Sequence, residues 1–303
     1  MDVRNTDASL IWKDGEFVDW DEAQTHVLSH ALHYGTGLFE GCRLYETEAG
    51  SAIFRFDDHI DRLFQTADIH LMEVPYSKQE IKEATLELIR KQDMDEAYVR
   101  PVVYRGYDKI GLNPTDCQVE VAIAAVPSSS YLSEDGLDTF VSSWRRFDSN
   151  VSPTQAKTTG MYVNSALANQ EAVRNGYDEA IFLNQNGNVS EGPGENLFMV
   201  NDGELYTVGP SGSVLDGITK RTVIQLAEED GIEVHDRASI DRSELYTSDE
   251  LFFTGTAAEI KPIRTVDDRV VTDETPGSVT ERVKNMYEDT VQSGSRDDWF
   301  TKP

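Results

Sequence analysis

A short polar segment divides the chain into two stretches with different secondary-structure patterns. The segment PSSSYLSEDG, residues 127–136, carries proline and glycine and is typical of a linker. Before it, short strand patterns surround two amphipathic helix patterns, and after it strand patterns predominate. The sequence therefore predicts an α+β protein with a small domain over residues 1–126, an interdomain loop over 127–136 and a large domain over 137–303.

Local signals in the first stretch are specific. Asp14 and Gly15 in IWKDGEFVDW predict the tight turn of a hairpin. The segment DDHIDRLFQTADI predicts a helix with an aspartate cap, and one of its faces carries Ile60, Leu63, Phe64 and Ala67. The segment SKQEIKEATLELIRKQ predicts a second helix, in which Ser77 and Glu80 form a capping box.

The second stretch is predicted to hold several strands and three helices. Its strand candidates are DTFVSSWRRF, EAIFLNQ, NVSEG, NLFMVNDGELYTV and DELFFTGT. Two hairpin turns are expected, one at Asn186 and Gly187 and the other at Asp202 and Gly203. The helices are expected over residues 162–174, 218–229 and 279–291.

The charge of the chain excludes some classes of partner. It has 55 Asp and Glu against 27 Lys and Arg, a formal net charge of -28. Such a surface repels nucleic acid and anionic membranes, so neither is an expected partner. Acidic residues occur along the whole chain, which favours a halophilic protein of a high-salt cytoplasm over an ordinary acidic protein.

Nothing in the sequence predicts a membrane span, a signal peptide or a disulfide framework. No stretch approaches the roughly 20 apolar residues that a membrane helix needs. The N-terminus lacks a basic region followed by an apolar run, so a cytoplasmic location is expected. Cys42 and Cys117 are isolated thiols, and His30 and His33 lack metal-ligand spacing, so no metal site is expected.

One lysine stands alone in an uncharged segment. Lys157 is the single charged residue between Ser149 and Gln170, in the segment SPTQAKTTGMYVNSAL. Two interpretations are open. It is either an exposed lysine of a polar loop, or a buried amine whose lowered pKa makes it a nucleophile for aldehydes.

Other segments are candidates for binding an anion or a heteroaromatic ring. Glu191 in VSEGPGENLF precedes an apolar run and could keep a pyridine nitrogen protonated, although it is one acid among 55. The predicted helix that starts at Ile218 and Thr219 offers free N–H groups to a phosphate, as does every helix start. The strand FFTGTAAE ends in hydroxyls and amides suited to an anion, and Arg62 could neutralise a phosphate or simply pair with an acid.

Taken together, these segments resemble one enzyme family. In order they are SHALHYGTGLFEGCR, HIDRL, YVRP, AKTTGMYVNS, SEGPGENLF, PSGSVLDGITKRTV and FFTGTAAEI. The pattern is similar to that of the class IV pyridoxal-phosphate aminotransferases, and within them to the branched-chain amino-acid aminotransferases. The resemblance runs from about Ile11 to Val291. It implies fold type IV, with a small α/β sandwich domain, a larger strand-rich pseudo-barrel domain and the cofactor between them.

The resemblance also implies a role for each cofactor residue. Lys157 forms a Schiff base with pyridoxal 5'-phosphate and then carries a proton between the substrate α carbon and the cofactor C4' atom. Tyr162 hydrogen-bonds the phenolic oxygen of the cofactor, and Glu191 pairs with its pyridine nitrogen. The phosphate is held by Arg62, Ile218, Thr219 and Thr256.

Substrate contacts follow from the same resemblance. Tyr98 and the backbone at Thr256 and Ala257 receive the α-carboxylate, while Arg100 meets the side-chain carboxylate of glutamate. Tyr98 and Arg100 are expected on one face of a strand because they are two residues apart. An apolar pocket for leucine, isoleucine and valine is formed by Tyr34, Phe39, Tyr131 and Tyr162. The implied reaction transfers the amino group of these L-amino acids to 2-oxoglutarate in a ping-pong cycle.

Three other functions remain open at this stage. A D-amino-acid aminotransferase and an aminodeoxychorismate lyase share this fold, and a noncatalytic acidic assembly protein could keep the fold without the chemistry. The resemblance implies a homo-oligomer, either a homodimer or a homohexamer, with Leu112 near the partner. Thr158 and Thr159 stand where the family often has smaller residues, and PSSSYLS lacks a tryptophan that some bacterial members carry.

Overall fold

The computed structural model describes residues 3, 6–128, 132–133, 135–272 and 275–303. Contacts within the chain divide it into two compact units. The first comprises Met1–Ser129, Ala156–Gly160 and Thr290–Pro303, and the second comprises Ser130–Gln155 and Met161–Asp289. The domain boundaries at residues 126 and 137 therefore remain a prediction. Each unit is assembled from separate segments of the chain, so a single division along the sequence does not describe the two units.

Two pieces of chain that are distant in sequence join the first unit. Thr158 forms an isolated antiparallel bridge with Leu38, and Phe300 pairs with Phe54. By these contacts Lys157, which the sequence placed in the large domain, groups with the first unit.

The first unit is built on an eight-stranded antiparallel sheet. Its strands are β1 (Leu10–Lys13), β2 (Glu16–Asp19), β3 (Gly37–Phe39), β4 (Cys42–Tyr45), β5 (Ala52–Phe54), β6 (Ala97–Arg105), β7 (Val119–Val126) and β16 (Phe300–Thr301). They follow the order β16-β5-β4-β6-β7-β1-β2, and β3 pairs with β6. The predicted hairpin is confirmed, since Asp14 and Gly15 have positive φ angles of 48° and 96° between β1 and β2.

Three helices accompany this sheet, α1 (His30–Tyr34), α2 (Phe56–Ile69) and α3 (Lys78–Gln92). The predicted apolar face of α2 is confirmed. Ile60, Leu63 and Ala67 are buried in the core of the unit, and Phe64 packs against them. The capping box of α3 is also confirmed, with both reciprocal bonds between Ser77 and Glu80 present.

The predicted aspartate cap of α2 is wrong. The helix begins at Phe56 after Arg55, whose φ angle is 53° and whose side chain caps nothing. Asp57 and Asp58 lie instead in the first turn, where carboxylates are favoured by the helix dipole.

The second unit is built on a mixed eight-stranded sheet. Its strands are β8 (Leu137–Arg145), β9 (Glu179–Leu183), β10 (Asn196–Asn201), β11 (Glu204–Val208), β12 (Val234–Arg237), β13 (Glu250–Gly255), β14 (Glu259–Val266) and β15 (Arg269–Val270). They follow the order β12-β11-β10-β13-β14-β8-β9, and β15 pairs with β14. The helices α4 (Tyr162–Asn175), α5 (Ile218–Glu229) and α6 (Ser278–Ser293) match the three predicted helices within a few residues.

One strand prediction in this unit is wrong. The segment NVSEG forms only single bridges, between Asn188 and Asp241 and between Leu183 and Val189. The Asp202 and Gly203 hairpin is confirmed between β10 and β11. The helices and the two sheets together confirm the α+β class. In the part of the chain that the structure describes, no helix has both the length and the apolar character needed to cross a membrane.

Candidate active site

Lys157 is held by its backbone on both sides. Its N–H donates to Thr66 Oγ1 of α2 at 3.2 Å, and its C=O accepts from the N–H of Phe39 at 3.1 Å. The Nζ atom lies 5.0 Å from the centroid of the Phe39 ring, and the residue is half-buried. The backbone of Lys157 is therefore fixed and its amine lies beside an aromatic face, unlike a lysine of a freely exposed loop.

The two threonines after Lys157 fix the same segment. The hydroxyl of Thr158 and Nε2 of His70 are 2.7 Å apart. The hydroxyl of Thr159 accepts from the N–H of Gly37 at 3.2 Å and lies 3.2 Å from the C=O of Gly35. Residues without a hydroxyl at 158 and 159 could not make these bonds, so the two threonines are part of how this chain holds its lysine segment.

Arg62 is anchored by a carboxylate that sequence reasoning missed. Its Nε lies 2.6 Å from Oε1 of Glu40 and its Nη2 lies 2.9 Å from Oε2. His59 Nδ1 is 2.7 Å from the same carboxylate. Burial alone would raise the pKa of Glu40, but the Arg62 charge and the His59 contact hold that pKa well below its usual range. In the sequence, Glu40 could have been noticed as an acidic residue inside the apolar strand pattern GLFEGCRLY.

Tyr98 and Arg100 lie on one face of β6, as predicted. Arg100 donates from Nη2 to the hydroxyl of Tyr98 at 3.1 Å. Its guanidinium lies 4.7 Å from the Phe39 ring centroid and 5.1 Å from that of Tyr98. Because Lys157 also contacts Phe39, the first unit brings Lys157, Phe39, Tyr98 and Arg100 together.

Gly41 makes room for the hydroxyl of Tyr98. A methyl group on Gly41 would lie 1.9 Å from that oxygen. The glycine of the FEG motif is therefore required by the position of Tyr98. The Tyr34 ring contacts the rings of His30 and His33, with centroid distances of 4.5 and 6.1 Å.

In the second unit, Glu191 is a buried carboxylate with three partners. Its Oε1 lies 2.6 Å from Nε of Arg146 in an ion pair, although the N–H does not point along the line to the oxygen. Its Oε2 accepts from the N–H of Leu215 at 2.9 Å and from the amide of Asn196 at 3.3 Å. The sequence pointed to Glu191 but not to Arg146 or Asn196. Arg146 is distant from Glu191 in sequence, and the contact with Asn196 depends on the turn that follows Glu191.

Asn196 connects Glu191 to the start of α5. Its amide also donates to the C=O of Leu215 at 2.8 Å, and a methyl group on Gly217 would lie 2.0 Å from its Oδ1. Gly217 is the N-cap of α5 and has no side chain that could cap the helix. The first N–H groups of α5, from Ile218 and Thr219, therefore have no acceptor within the helix.

The end of β13 lies beside the same region. Thr254 pairs with Asn196 across β10 and β13, and its buried hydroxyl has no hydrogen-bond partner among the residues that the structure describes. A methyl group on Gly255 would lie 3.3 Å from the C=O of Gly194. The half-buried residues Thr256 and Ala257 follow directly. Glu191, the start of α5 and the end of β13 therefore converge within the second unit.

This convergence forms a set of groups suited to an anion and a protonated ring. A helix start with a glycine N-cap, and a buried hydroxyl with no hydrogen-bond partner among the described residues, are suited to a phosphate group. A buried carboxylate is suited to a protonated nitrogen. Tyr162 starts α4 and is half-buried. Tyr131, predicted to line the substrate pocket, lies outside the described residues.

Comparisons with known proteins identify the family. The model of the family described as amino-transferase class IV matches residues 37–266. The chain therefore belongs to the class IV aminotransferases. This confirms two predictions from the sequence, the family and the assignment as a transaminase.

Three similar proteins are named branched-chain amino acid aminotransferase. The branched-chain-amino-acid aminotransferase of Pseudomonas aeruginosa is 46% identical over 286 residues, which cover 93% of this chain and 92% of that protein. The structure of the Escherichia coli branched-chain amino acid aminotransferase has a TM-score of 0.95 at 43% identity, with 97% of this chain and 99% of that one covered. The T.th. enzyme of the same name, complexed with N-(5'-phosphopyridoxyl)-L-glutamate, has a TM-score of 0.93 at 43% identity, with 97% and 98% covered.

Proposed function

We propose that this enzyme transfers the amino group of L-leucine, L-isoleucine or L-valine to 2-oxoglutarate, with pyridoxal 5'-phosphate as its cofactor. The observation that carries the proposal is the amine of Lys157 beside the Phe39 ring, next to Tyr98 and Arg100. The names of the similar proteins and the phosphopyridoxyl-glutamate bound to one of them support the same reaction.

In the second unit, α5 and the end of β13 provide the groups proposed to hold the phosphate. These are the N–H groups of Ile218 and Thr219, the Thr219 hydroxyl and Thr256. The uncapped start of α5 and the Thr254 hydroxyl support this assignment. In the first unit, Arg62 is proposed to neutralise phosphate charge, and Glu40 fixes the orientation of its guanidinium.

Glu191 is proposed to pair with the pyridine nitrogen and Tyr162 with the phenolic oxygen. The backbone N–H of Leu215 and the amide of Asn196 orient the Glu191 carboxylate. Since an ionised carboxylate only accepts hydrogen bonds, these donors and the Arg146 charge favour its anionic form. That form is the one that would keep a ring nitrogen protonated.

Lys157 is proposed to act first as a nucleophile and then as a base. When bound, the cofactor supplies an aldehyde that takes up the amino group and a ring that draws electrons from the substrate α carbon. With the cofactor bound, the Lys157 amine would take the proton from that α carbon and would return it to the C4' atom. Its backbone bonds to Phe39 and Thr66 fix the backbone position from which the amine reaches both atoms.

The substrate contacts are proposed on the same basis. Tyr98, with the backbone at Thr256 and Ala257, receives the α-carboxylate. Arg100 receives the second carboxylate of glutamate, which is consistent with its exposed position above Phe39. Phe39 is proposed as a wall of the apolar pocket, together with Tyr34, Tyr131 and Tyr162.

A simple assay tests the proposed reaction. The holoenzyme is given L-leucine or D-alanine together with 2-oxoglutarate, and glutamate is measured. We expect glutamate from L-leucine. Glutamate from D-alanine alone would show a D-amino-acid aminotransferase, and no glutamate from any branched-chain L-amino acid would overturn the proposal.

The enzyme is also proposed to be a homo-oligomer of a high-salt cytoplasm. Support for self-association comes from large apolar side chains exposed in the first unit, namely Val27, Leu32, Tyr107, Ile110 and Leu112. Light scattering tests the first point, and stability and activity measured at several salt concentrations test the second. A monomer at every salt concentration would contradict the first, and equal stability and activity at low and high salt would contradict the second.

A further inference from the structure

Arg105, at the end of β6, is a buried cation with no acidic partner in the part of the chain that the structure describes. It is 6% exposed, and no carboxylate among the described residues makes an ion pair with it. Its Nη1 donates to the C=O of Pro114 at 2.9 Å and its Nη2 to the C=O of Leu71 at 3.0 Å. A guanidinium has five N–H donors, so most of this one remains available for an anion.

Arg105 lines a cavity of about 570 Å³ in the first unit. This size lies within the range of small-molecule sites in proteins. The cavity is formed by the β1–β2 turn, the segment after α2 and the segment before β7. Its other lining residues are Asp14, Leu71, Glu73, Pro75, Tyr76, Thr115, Cys117, Gln118 and Val119. None of these residues belongs to the candidate active site.

The lining includes carboxylates as well as the guanidinium. Asp14 lies at the β1–β2 turn, and one of its oxygens accepts the N–H of Val121 at 2.7 Å. Burial and the nearby charge of Glu120 raise the pKa of Asp14, so an ammonium group beside it would relieve an electrostatic cost. Glu73 is an exposed acid of the same cavity.

A ligand with only one sign of charge does not suit this lining. A simple anion would be attracted by Arg105 but repelled by Asp14, by Glu73 and by a chain of net charge -28. A simple cation would be repelled by the guanidinium of Arg105. A small molecule with both a carboxylate and an ammonium group satisfies both, and Leu71, Pro75 and Val119 offer apolar contact for its side chain.

We propose that this cavity is a second binding site, which takes a small zwitterionic amino acid with its carboxylate on Arg105 and its ammonium group towards Asp14 and Glu73. The site is independent of the proposed transamination, because its residues are not those assigned to the reaction.

Isothermal titration calorimetry with the holoenzyme tests the proposal. The probe is L-proline, a zwitterion whose secondary amine cannot be transferred, and acetate and methylammonium are the single-charge probes. We expect one L-proline per chain, with acetate and methylammonium at least about tenfold weaker. Arg105→Gln should weaken L-proline binding about tenfold or more, because the free energy of a hydrogen bond to a charged group corresponds to a change in affinity of that size.

Matched variants separate this cavity from binding elsewhere on the chain. Arg90→Gln makes the same charge change on an exposed arginine of α3 and should leave binding unchanged. Gln118→Trp should fill the cavity and abolish binding, and it decides the question if Arg105→Gln fails to fold. Arg100→Ala, in the candidate active site, should retain L-proline binding.

Three results would overturn the proposal. The first is no detectable binding of L-proline to the wild-type protein. The second is binding that survives both Arg105→Gln and Gln118→Trp, or that is lost in Arg100→Ala. The third is acetate binding as tightly as L-proline. Each of these results leaves the leucine assay unaffected, so failure here is distinguishable from failure of the proposed function.

Discussion

Arg146 and Glu191 form a buried ion pair in the second unit, with 2.6 Å between Nε and Oε1 and little exposure of either side chain. Glu191 gains two further donors from Leu215 and Asn196. The carboxylate proposed to face the cofactor ring is therefore fixed by the protein itself. Arg146, one of the residues that hold this carboxylate, was identified by no motif.

Replacing Arg146 should destabilise the protein strongly. Arg146→Met leaves a buried carboxylate without its cation, and the expected loss is about 3–5 kcal/mol in the free energy of unfolding. Urea denaturation measures it. Arg145→Met, on the exposed neighbour, is the matched control and should cost less than about 0.5 kcal/mol. Equal effects of the two variants would show that the ion pair contributes nothing.

Glu40 should stabilise the protein in a pH-dependent way. The pKa of its carboxyl is lowered in the folded state, so its contribution is fully present above the unfolded pKa and is lost as pH falls from there towards the folded pKa. The difference in unfolding free energy between wild type and Glu40→Gln should therefore be largest near pH 7. Urea denaturation from pH 7 to pH 3 should show it shrinking below about pH 4.5. A difference that stays constant over this range would contradict the assignment.

Glu179 should show the opposite behaviour. Burial, with the charge of Glu195 as the next cause, raises the pKa of Glu179 to about 8. The stability that its neutral form provides is present below the unfolded pKa and is lost as pH rises through the folded pKa. Glu179→Gln stays neutral at every pH. Its stability relative to wild type, measured by urea denaturation, should therefore rise between pH 5 and pH 9, and a flat difference would refute the raised pKa.

Gly41→Ala should impair catalysis through Tyr98. The added methyl would lie 1.9 Å from the Tyr98 hydroxyl, so the tyrosine must move away from its bond to Arg100. A displacement of about 1 Å can cost roughly 10²-fold in kcat/KM. Steady-state kinetics with L-leucine measure it. Gly194→Ala is the control, because nothing lies within 4 Å of its added methyl. Unchanged kinetics in Gly41→Ala would remove Tyr98 from the proposed substrate contacts.

Much of the fold was predictable because its signals are local. The turn at Asp14 and Gly15, the capping box of Ser77 and the span of α5 all follow from neighbouring residues. The strand predicted for NVSEG was wrong because its alternating pattern ends in single bridges and a glycine-rich turn. Strand β16 could not be predicted, since two residues at the C-terminus become a strand only by pairing with β5.

The candidate site was predictable where a residue type is unusual for its segment. Lys157 stands alone in an uncharged stretch, and Glu191 precedes an apolar run. Their supporting residues carried no such signal. Glu40 lies 22 positions from Arg62, and Arg146 pairs with Glu191 across 45 positions of sequence (191 − 146). Only folding brings these charges together.

The most direct test of the account identifies the lysine that binds the cofactor. The holoenzyme is reduced with borohydride and digested, and the peptide that carries the pyridoxyl group is found by mass spectrometry. We expect the group on Lys157 and no labelled peptide from Lys157→Ala. A group attached instead to Lys220 or Lys261, the fully buried lysines of the second unit, would contradict the central claim.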